Sequence, residues 1–287
     1  MRHEIEFYYR PEKPVPFSSL TARVIDEDFS SLKTEHDVQL IENRWNGIVE
    51  AAERNGKKVF SKPRGLAMLF DTQGTTLAYK TTEYKDYNAV STTSNEKSLS
   101  PRLYETMRVA AVGATLELGD GSIFIHRRSY QATHVAGVID SSCAGLCFVR
   151  DGKINPEQDL LQKLEKELGL KREEVEIKGI VGIHSAYAPD FSGLIDVALK
   201  TPLMPGDLAV RTKDIDFPER LYVLKEDLPD FVYHHYIEDK DMVGDGAAIL
   251  LSCLDEKKFR ESIEKMQRAG KDISFGNLVQ GTFSPLM

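Results

Sequence analysis

Hydrophobic periodicity predicts a chain in which strands and helices alternate. The predicted strands are Glu4–Tyr9, two strands around a turn at Gln73-Gly74, 109–118, 122–129, 145–152, 175–184, 193–199 and Leu221–Leu224. The predicted helices are 34–54, a short helix from Ser100-Pro101 to Met107, a helix that starts at Asn155 and ends at Gly169, and Asp255–Ala269. The proline-containing segment 202–218 predicts a long loop, and the apolar run 246–254 fits either a helix or a strand.

Capping residues support two of these helices. Thr34 and Asp37 resemble a capping box, with aspartate replacing the usual glutamate. Asn155 followed by Pro156 is typical of a helix start, and Gly169 has the usual position of a glycine just past a helix end.

The order of the elements predicts a mixed α/β (α+β) architecture with helices layered on a sheet. The pattern of apolar and polar residues changes near Val109, where a mostly apolar strand begins. We therefore expect a smaller N-terminal α/β unit at 1–105 and a main domain at 106–287.

Composition excludes several classes of protein. The 287 residues include 37 Lys plus Arg and 45 Asp plus Glu, for a net charge of −8. This composition is that of an ordinary globular protein. The acidic net charge argues against the basic surface that sequence-independent nucleic-acid binding requires. Three cysteines cannot form a disulfide framework. With no secretory signal and no apolar stretch of membrane-spanning length, the expected setting is cytoplasmic and not membrane-bound.

The segment 159–183 resembles the helix and following strand of a Nudix domain. The second half of the family's pattern is Arg-Glu-U-x-Glu-Glu-x-Gly-U, where U is bulky and apolar. The matching residues are Leu164, Glu167, Gly169 and Leu170. Gln162, Lys163 and Lys166 stand where the family has arginine and two glutamates.

A more extended resemblance is to the Nudix type that cleaves UDP-glucose and UDP-galactose and carries an N-terminal appendage. The segments that carry it, in order, are Arg44-Trp45, Tyr84-Lys85-Asp86, Arg127-Arg128-Ser129 with Gln131, Gly137-Val138-Ile139-Asp140 and 246–250. It implies a Nudix-type α/β/α sandwich with a mixed sheet. It also implies a small nucleoside diphosphate derivative as the partner and Mg²⁺ or Mn²⁺ as the cofactor if the protein is catalytic.

The resemblance assigns roles to individual residues. Glu167 is the matched catalytic carboxylate and metal ligand, and Arg127 and Arg128 hold the diphosphate. By this resemblance the reaction is cleavage of UDP-glucose to UMP and glucose 1-phosphate. Glu238, Asp239 and Asp241 lie in an acidic loop that supplies extra metal ligands if catalysis survives.

The departures from the family pattern predict that hydrolysis is weakened or lost. Positions i, i+3 and i+4 share a helix face, so three carboxylates at this spacing converge on one cation. Here that face has Lys163, Lys166 and Glu167, and the family's Pro-Gly-Gly-His loop is replaced by Ser141–Gly145. At about 4 Å and an effective dielectric near 20, each unit-charge pair is worth roughly 4 kcal/mol. An equally favoured and compatible interpretation is a solvated face, in which the lysines pair with neighbouring glutamates.

Other uses of the same residues stay open at this point. Lys163, Lys166, Arg127 and Arg128 are candidate phosphate-binding cations in a module that binds a nucleotide or phosphate ligand, or a protein, without hydrolysis.

Aromatic and thiol side chains add further alternatives. Tyr84 is a candidate for stacking on a uracil, as are Tyr87 and Tyr187, although strand tyrosines usually pack across strands. Cys143 beside His134 is a possible nucleophile, but a small buried thiol is the more common role. His234-His235 predicts loop packing, with a base or stacking role as the minority interpretation.

Overall fold

The fold is a large mixed sheet with helices on both faces. The computed structural model describes residues 4–24, 33–54, 66–73, 76–83, 85–86, 99–100, 103, 109–130, 136–186, 192–212 and 217–275. The strands are β1 (Ile5–Tyr9), β2 (Thr21–Val24), β3 (Leu66–Gln73), β4 (Thr76–Thr82), β5 (Val109–Glu117), β6 (Ser122–Arg127), β7 (Ile139–Asp140), β8 (Cys143–Leu146), β9 (Val149–Arg150), β10 (Lys153–Ile154), β11 (Glu176–Ala186), β12 (Ser192–Lys200), β13 (Glu219–Leu224) and β14 (Ile273–Phe275). The helices are α1 (Glu35–Arg54), α2 (Pro156–Leu168), α3 (Pro205–Arg211), α4 (Leu228–Tyr233), α5 (Gly244–Ser252) and α6 (Glu256–Arg268).

Twelve strands form one sheet, and β9 and β10 form a separate pair. The main path runs β14-β1-β11-β12-β5-β3-β4-β2, and β6, β7, β8 and β13 attach beside it. Pairing is parallel between β12 and β5 and antiparallel between β11 and β12. The sheet is therefore mixed, as the sequence predicts.

Two hydrophobic cores lie on opposite faces of this sheet. Because successive strand residues point to opposite faces, β5 contributes Val112 and Ala114 to one core and Ala111 to the other face. The first core includes Leu160, Leu164 and Leu168 of α2. The second includes Ala247, Leu250, Phe259 and Ile263 of α5 and α6. This layering confirms the predicted α/β/α sandwich.

The predicted caps are present in the structure. The Thr34 backbone N–H donates to Asp37 Oδ2 at 2.8 Å, and the Asp37 N–H donates to Thr34 Oγ1 at 3.1 Å. At α2, Asn155 Oδ1 accepts from the Gln158 N–H at 3.0 Å, and Gly169 ends the helix with a φ of 63°. Local sequence chemistry thus fixes where α1 and α2 begin and where α2 ends.

The left-handed backbone at Gly169 gives a stability prediction. We expect Gly169→Ala to lower the free energy of unfolding by about 1–2 kcal/mol, because a Cβ is strained in this conformation. Gly206 is the matched control. It lies in α3 with no atom within 4 Å of an added Cβ, so Gly206→Ala is expected to be neutral or slightly stabilising. Urea unfolding of both variants checks this, and equal midpoints for the two would contradict it.

Two segments differ from the sequence prediction, and a third settles a choice that the sequence left open. The predicted loop at 202–218 contains α3, which has Pro205 at its first turn. His234-His235 lies in a π-helical turn at His234–Glu238 that continues α4, where a loop was predicted. The run 246–254 is mostly helical and forms α5. Leu208 of α3, Tyr236 of the π-helical turn and most of α5 are buried in the cores, a tertiary contact that local composition does not show.

Strands from the first part of the chain join the main sheet. β1 lies between β11 and β14, and Met68 of β3 pairs with Val109 of β5. The predicted division of the chain at residue 105 stays a prediction.

No helix in the described part of the chain has both the length and the apolar character that crossing a membrane requires. Tyr84, Tyr87, Tyr187, His134, Gln131 and most of the short helix predicted to end at Met107 lie outside the described residues.

Candidate functional site

Strand β6 directs its polar side chains to both faces of the sheet. Phe124 belongs to the core under α2, whereas Ile125 belongs to the core under α5 and α6. Alternation therefore puts His126 on the α2 face and Arg127 on the α5 face. Two groups of polar side chains result, one on each face.

The first group, which we name the α2 site, consists of Lys163, Glu167, Cys143, His126, Asp140 and Arg128. Lys163 Nζ lies 2.6 Å from Glu167 Oε1, at i,i+4 spacing on α2. The side chains of Lys163 and Glu167 are 32% and 27% exposed. Cys143 Sγ lies 3.8 Å from the other oxygen of the same carboxylate, Glu167 Oε2. The carboxylate is therefore held between an ammonium and a thiol.

Gly145 of β8 makes room for the lysine. A Cβ at this position would lie 3.2 Å from Lys163 Cδ and 3.4 Å from its Cγ. The aliphatic stem of the lysine thus lies on the strand while the ammonium reaches the carboxylate. Gly145 and Lys163 thus fit each other sterically.

Arg128 and Asp140 form the other ion pair of the α2 site. Arg128 Nη1 lies 3.3 Å from Asp140 Oδ2, and Asp140 Oδ1 accepts from the Ser141 N–H at 2.7 Å. Arg128 is 31% exposed at its side chain and Asp140 is 9% exposed. The arginine is therefore the more accessible partner.

Burial controls the titration of two further groups. Burial lowers the pKa of His126, against the raising effect of Asp140, so the ring is neutral near pH 7. Its Nδ1 is buried and has no hydrogen-bond partner among the described residues. Burial, reinforced by Glu167, raises the pKa of Cys143 well above its usual range. The thiol therefore stays protonated, which argues against the nucleophile interpretation.

The second group, which we name the π-turn cluster, consists of His235, Asp239 and Asp241. One potential ligand atom from each lies within 4.8 Å of the others. His235 Nδ1 lies 2.9 Å from Asp241 Oδ1, and Arg127 Nη2 donates to Asp241 Oδ2 at 2.9 Å. Although partial burial opposes it, hydrogen bonds from Arg127 and His235 lower the pKa of Asp241.

The predicted site residues are thus divided between two places. Lys163 pairs with Glu167 and Arg128 pairs with Asp140 in the α2 site, where the charges of Glu167, Lys163 and Asp140 all act on the Cys143 thiol. Asp239, Asp241 and Arg127 lie together on the other face of the sheet. Lys166 is exposed on α2, and Tyr84 lies outside the described residues. Glu167 thus lies on one face of the sheet and Asp239 and Asp241 on the other, and their role as metal ligands stays a prediction.

The two groups differ in how well they fit a divalent cation. In the α2 site each carboxylate already faces a cation, and the ammonium of Lys163 occupies the space beside Glu167. Mg²⁺ needs converging oxygen ligands, so this site does not fit it. In the π-turn cluster Asp241 also faces a cation, Arg127, so what distinguishes this cluster is its donor set. Two carboxylates and an imidazole suit Mn²⁺ better than Mg²⁺.

Sequence reasoning missed His126 and the buried pair of His184 and Asp196. A signal for His126 exists, because it alternates with Phe124 on a predicted strand that ends in two arginines. His184 Nδ1 lies 2.9 Å from Asp196 Oδ2, and both residues are fully buried. They come from β11 and β12, and only the register of that pairing brings them together.

No protein-family model and no curated protein matches the chain. Solved structures of Nudix proteins are similar to about half of it. They include a mutT/nudix family protein from Listeria innocua (17% identity, TM-score 0.36), covering 55% of this chain and 96% of that one. A Nudix hydrolase, RenU, from M. smegmatis has 16% identity and a TM-score of 0.32, covering 55% of this chain and 87% of its own. An Ap4A hydrolase from C. elegans has 12% identity and a TM-score of 0.33, covering 56% of this chain and 99% of its own. At these identities and scores, the similarity assigns neither a family nor an activity.

Proposed function

We propose that this protein is a Nudix-like module that binds a nucleoside diphosphate derivative, of the UDP-glucose type, without metal-dependent hydrolysis. One observation carries the proposal. Lys163 Nζ lies 2.6 Å from Glu167 Oε1, where the Nudix resemblance puts a divalent cation between carboxylates. The lysine side chain occupies this position in the α2 site.

The cations of the α2 site retain donors for a ligand. An ammonium has three N–H donors and a guanidinium has five. The contact of Lys163 with Glu167 and that of Arg128 with Asp140 each engage only part of this capacity. Both side chains are about one-third exposed, so a phosphate oxygen can reach them without unfolding of the sheet.

The same arrangement disfavours the hydrolytic reaction. Metal-assisted hydrolysis requires a cation that activates water and neutralises the phosphate oxygens. Glu167 is the only matched carboxylate of the predicted metal face, and its Oε1 is paired with the ammonium. A neutral His126 and a protonated Cys143 supply no compensating negative charge.

Ligand binding in the presence of EDTA tests this function. We expect UDP-glucose to raise the melting temperature, and titration calorimetry to give the same dissociation constant with EDTA as with Mg²⁺. Lys163→Met is expected to weaken binding about 10- to 100-fold, because a charged hydrogen bond contributes roughly 1.5–3 kcal/mol.

Lys257→Met is the charge-matched control, since Lys257 is 84% exposed on α6, which packs on the opposite face of the sheet. It should leave the dissociation constant within about twofold. Release of UMP in Mg²⁺ at a rate that Glu167→Gln abolishes would contradict the proposal.

The π-turn cluster favours a second candidate, a Mn²⁺-dependent hydrolase. His235, Asp239 and Asp241 would hold the ion there, and the bound ion would supply a Lewis acid. In the same experiment, UMP release that requires Mn²⁺ and is lost in Asp239→Asn, but not in Glu167→Gln, would favour this candidate.

A further inference from the structure

We propose that Tyr130 is the platform on which the α2 site stacks the aromatic base of its ligand. This inference rests on the proposed function and adds a residue that selects the ligand class. Tyr130 follows β6 by three positions, and at 70% exposure it is the most exposed large hydrophobic residue among those whose burial is described.

The ring of Tyr130 is held against the backbone of Gly137. A Cβ at Gly137 would lie only 2.6 Å from both Cδ1 and Cε1 of the tyrosine ring. A side chain at 137 would therefore collide with the ring, and the φ of +72° at this position independently favours glycine. The ring thus has a defined support while most of its surface faces solvent.

The support is fixed to the ion pairs described above. Arg127 Nη1 donates to the Gly137 carbonyl oxygen at 3.0 Å. The next residue, Val138, accepts from the Arg128 N–H at 2.8 Å. The Cα atoms of Gly137 and Val138 are neighbours, about 3.8 Å apart. The residue that supports the Tyr130 ring is therefore next to the residue that binds the Arg128 backbone. The platform and the proposed phosphate-binding cation therefore both contact the segment Gly137–Val138, just beyond the end of β6.

This neighbourhood defines the chemistry of the ligand. A flat aromatic group stacks on a tyrosine ring with little sequence or substituent selectivity, while phosphate oxygens bind the cations beside it. A nucleotide carries both groups on one small molecule. Inorganic pyrophosphate carries only the phosphate groups. Comparing it with a nucleotide therefore separates the contribution of base stacking from that of phosphate binding.

The test compares UDP with inorganic pyrophosphate on the full-length protein in EDTA. We expect Tyr130→Ala to weaken UDP binding about 5- to 100-fold and to leave pyrophosphate binding within about twofold. Tyr130→Phe should retain the affinity for UDP, because the ring is kept. Val210→Ala, at a residue that is 68% exposed on α3, is the control for loss of an exposed apolar side chain and should change neither affinity.

The outcomes separate this inference from the proposed function. Suppose that the wild type binds both UDP and pyrophosphate, and that Tyr130→Ala weakens the binding of both equally or of neither. Then Tyr130 is not a stacking platform, whereas the phosphate site is supported. If the wild-type protein binds neither probe, both proposals are overturned. Melting temperatures of the variants, which should match the wild type, show that the comparison is between folded proteins.

Discussion

Replacing Asp196 by asparagine is expected to lower the free energy of unfolding by about 3–5 kcal/mol, the typical cost of removing one partner of a buried ion pair. Asp196 accepts from Ser252 Oγ at 2.7 Å and lies 2.9 Å from His184 Nδ1. His184 and Asp196 are both 0% exposed. Water therefore cannot replace the lost charge, and the imidazole would keep only the more distant Asp245, whose Oδ1 lies 3.9 Å from His184 Nε2.

The loss should depend on pH in a defined direction. Burial alone would lower the pKa of His184, but the charge of Asp196 and its hydrogen bond raise it above the usual value, with a smaller contribution from Asp245. A raised folded-state pKa stabilises the protein fully below the unfolded pKa of about 6.5, and this stability is lost as pH rises through the folded pKa. The difference in free energy of unfolding between the wild type and Asp196→Asn should thus be largest near pH 6.

Urea unfolding at about pH 6 and about pH 9 measures both effects. Ser252→Ala is the matched control, because it removes one hydrogen bond to the same carboxylate and leaves the ion pair. It is expected to cost about 1 kcal/mol, without the same pH dependence. A difference between wild type and Asp196→Asn that grew with pH would show that His184 is neutral in the folded protein.

The double substitution Lys163→Glu with Lys166→Glu is expected to create a divalent-cation site on α2. Together with Glu167 it restores three carboxylates at the i, i+3 and i+4 positions of one helix. It also removes the ammonium that lies 2.6 Å from Glu167 Oε1. Each pair of unit charges near 4 Å is worth roughly 4 kcal/mol at an effective dielectric of 20 before screening, and each reversal replaces repulsion of the cation by attraction, so an increase of at least about tenfold in Mn²⁺ affinity is expected.

Water-proton relaxation during a Mn²⁺ titration checks this gain. The control is Lys153→Glu with Lys257→Glu, an equal change of net charge at two exposed lysines that are not part of the α2 site. Any binding at the π-turn cluster contributes equally to both proteins and cancels in the comparison. If the control gains as much affinity as the α2 variant, the effect is one of net charge and the helix is not a converted metal element.

Local chemistry made parts of the fold predictable. The capping pair Thr34 and Asp37, the Asn155 start and the Gly169 end of α2 are interactions within a few residues, so the sequence alone shows them. α3 was missed although Pro205 at its first turn is a recognised signal, because the surrounding prolines favoured a loop interpretation.

The candidate site was only partly predictable because its partners are distant in sequence. The Lys163–Glu167 pair is an i,i+4 contact, and the solvated-face interpretation includes it. Arg127 and Asp241 are 114 positions apart, and Arg128 and Asp140 meet only through the pairing of β6 with β7. Which carboxylate neutralises which cation follows from strand register, and a pattern of charges along the chain does not contain that register.

The position of β1 has a consequence for synthesis of the chain. This strand pairs with β11 on one side and with β14 on the other, and β14 ends at Phe275. Phe7 of this strand pairs with His184 and Phe275, so its partners emerge from the ribosome 177 and 268 residues after it. Such distant pairings slow folding, so the nascent chain has a long interval in which chaperones could bind the apolar side chains of Ile5 and Phe7.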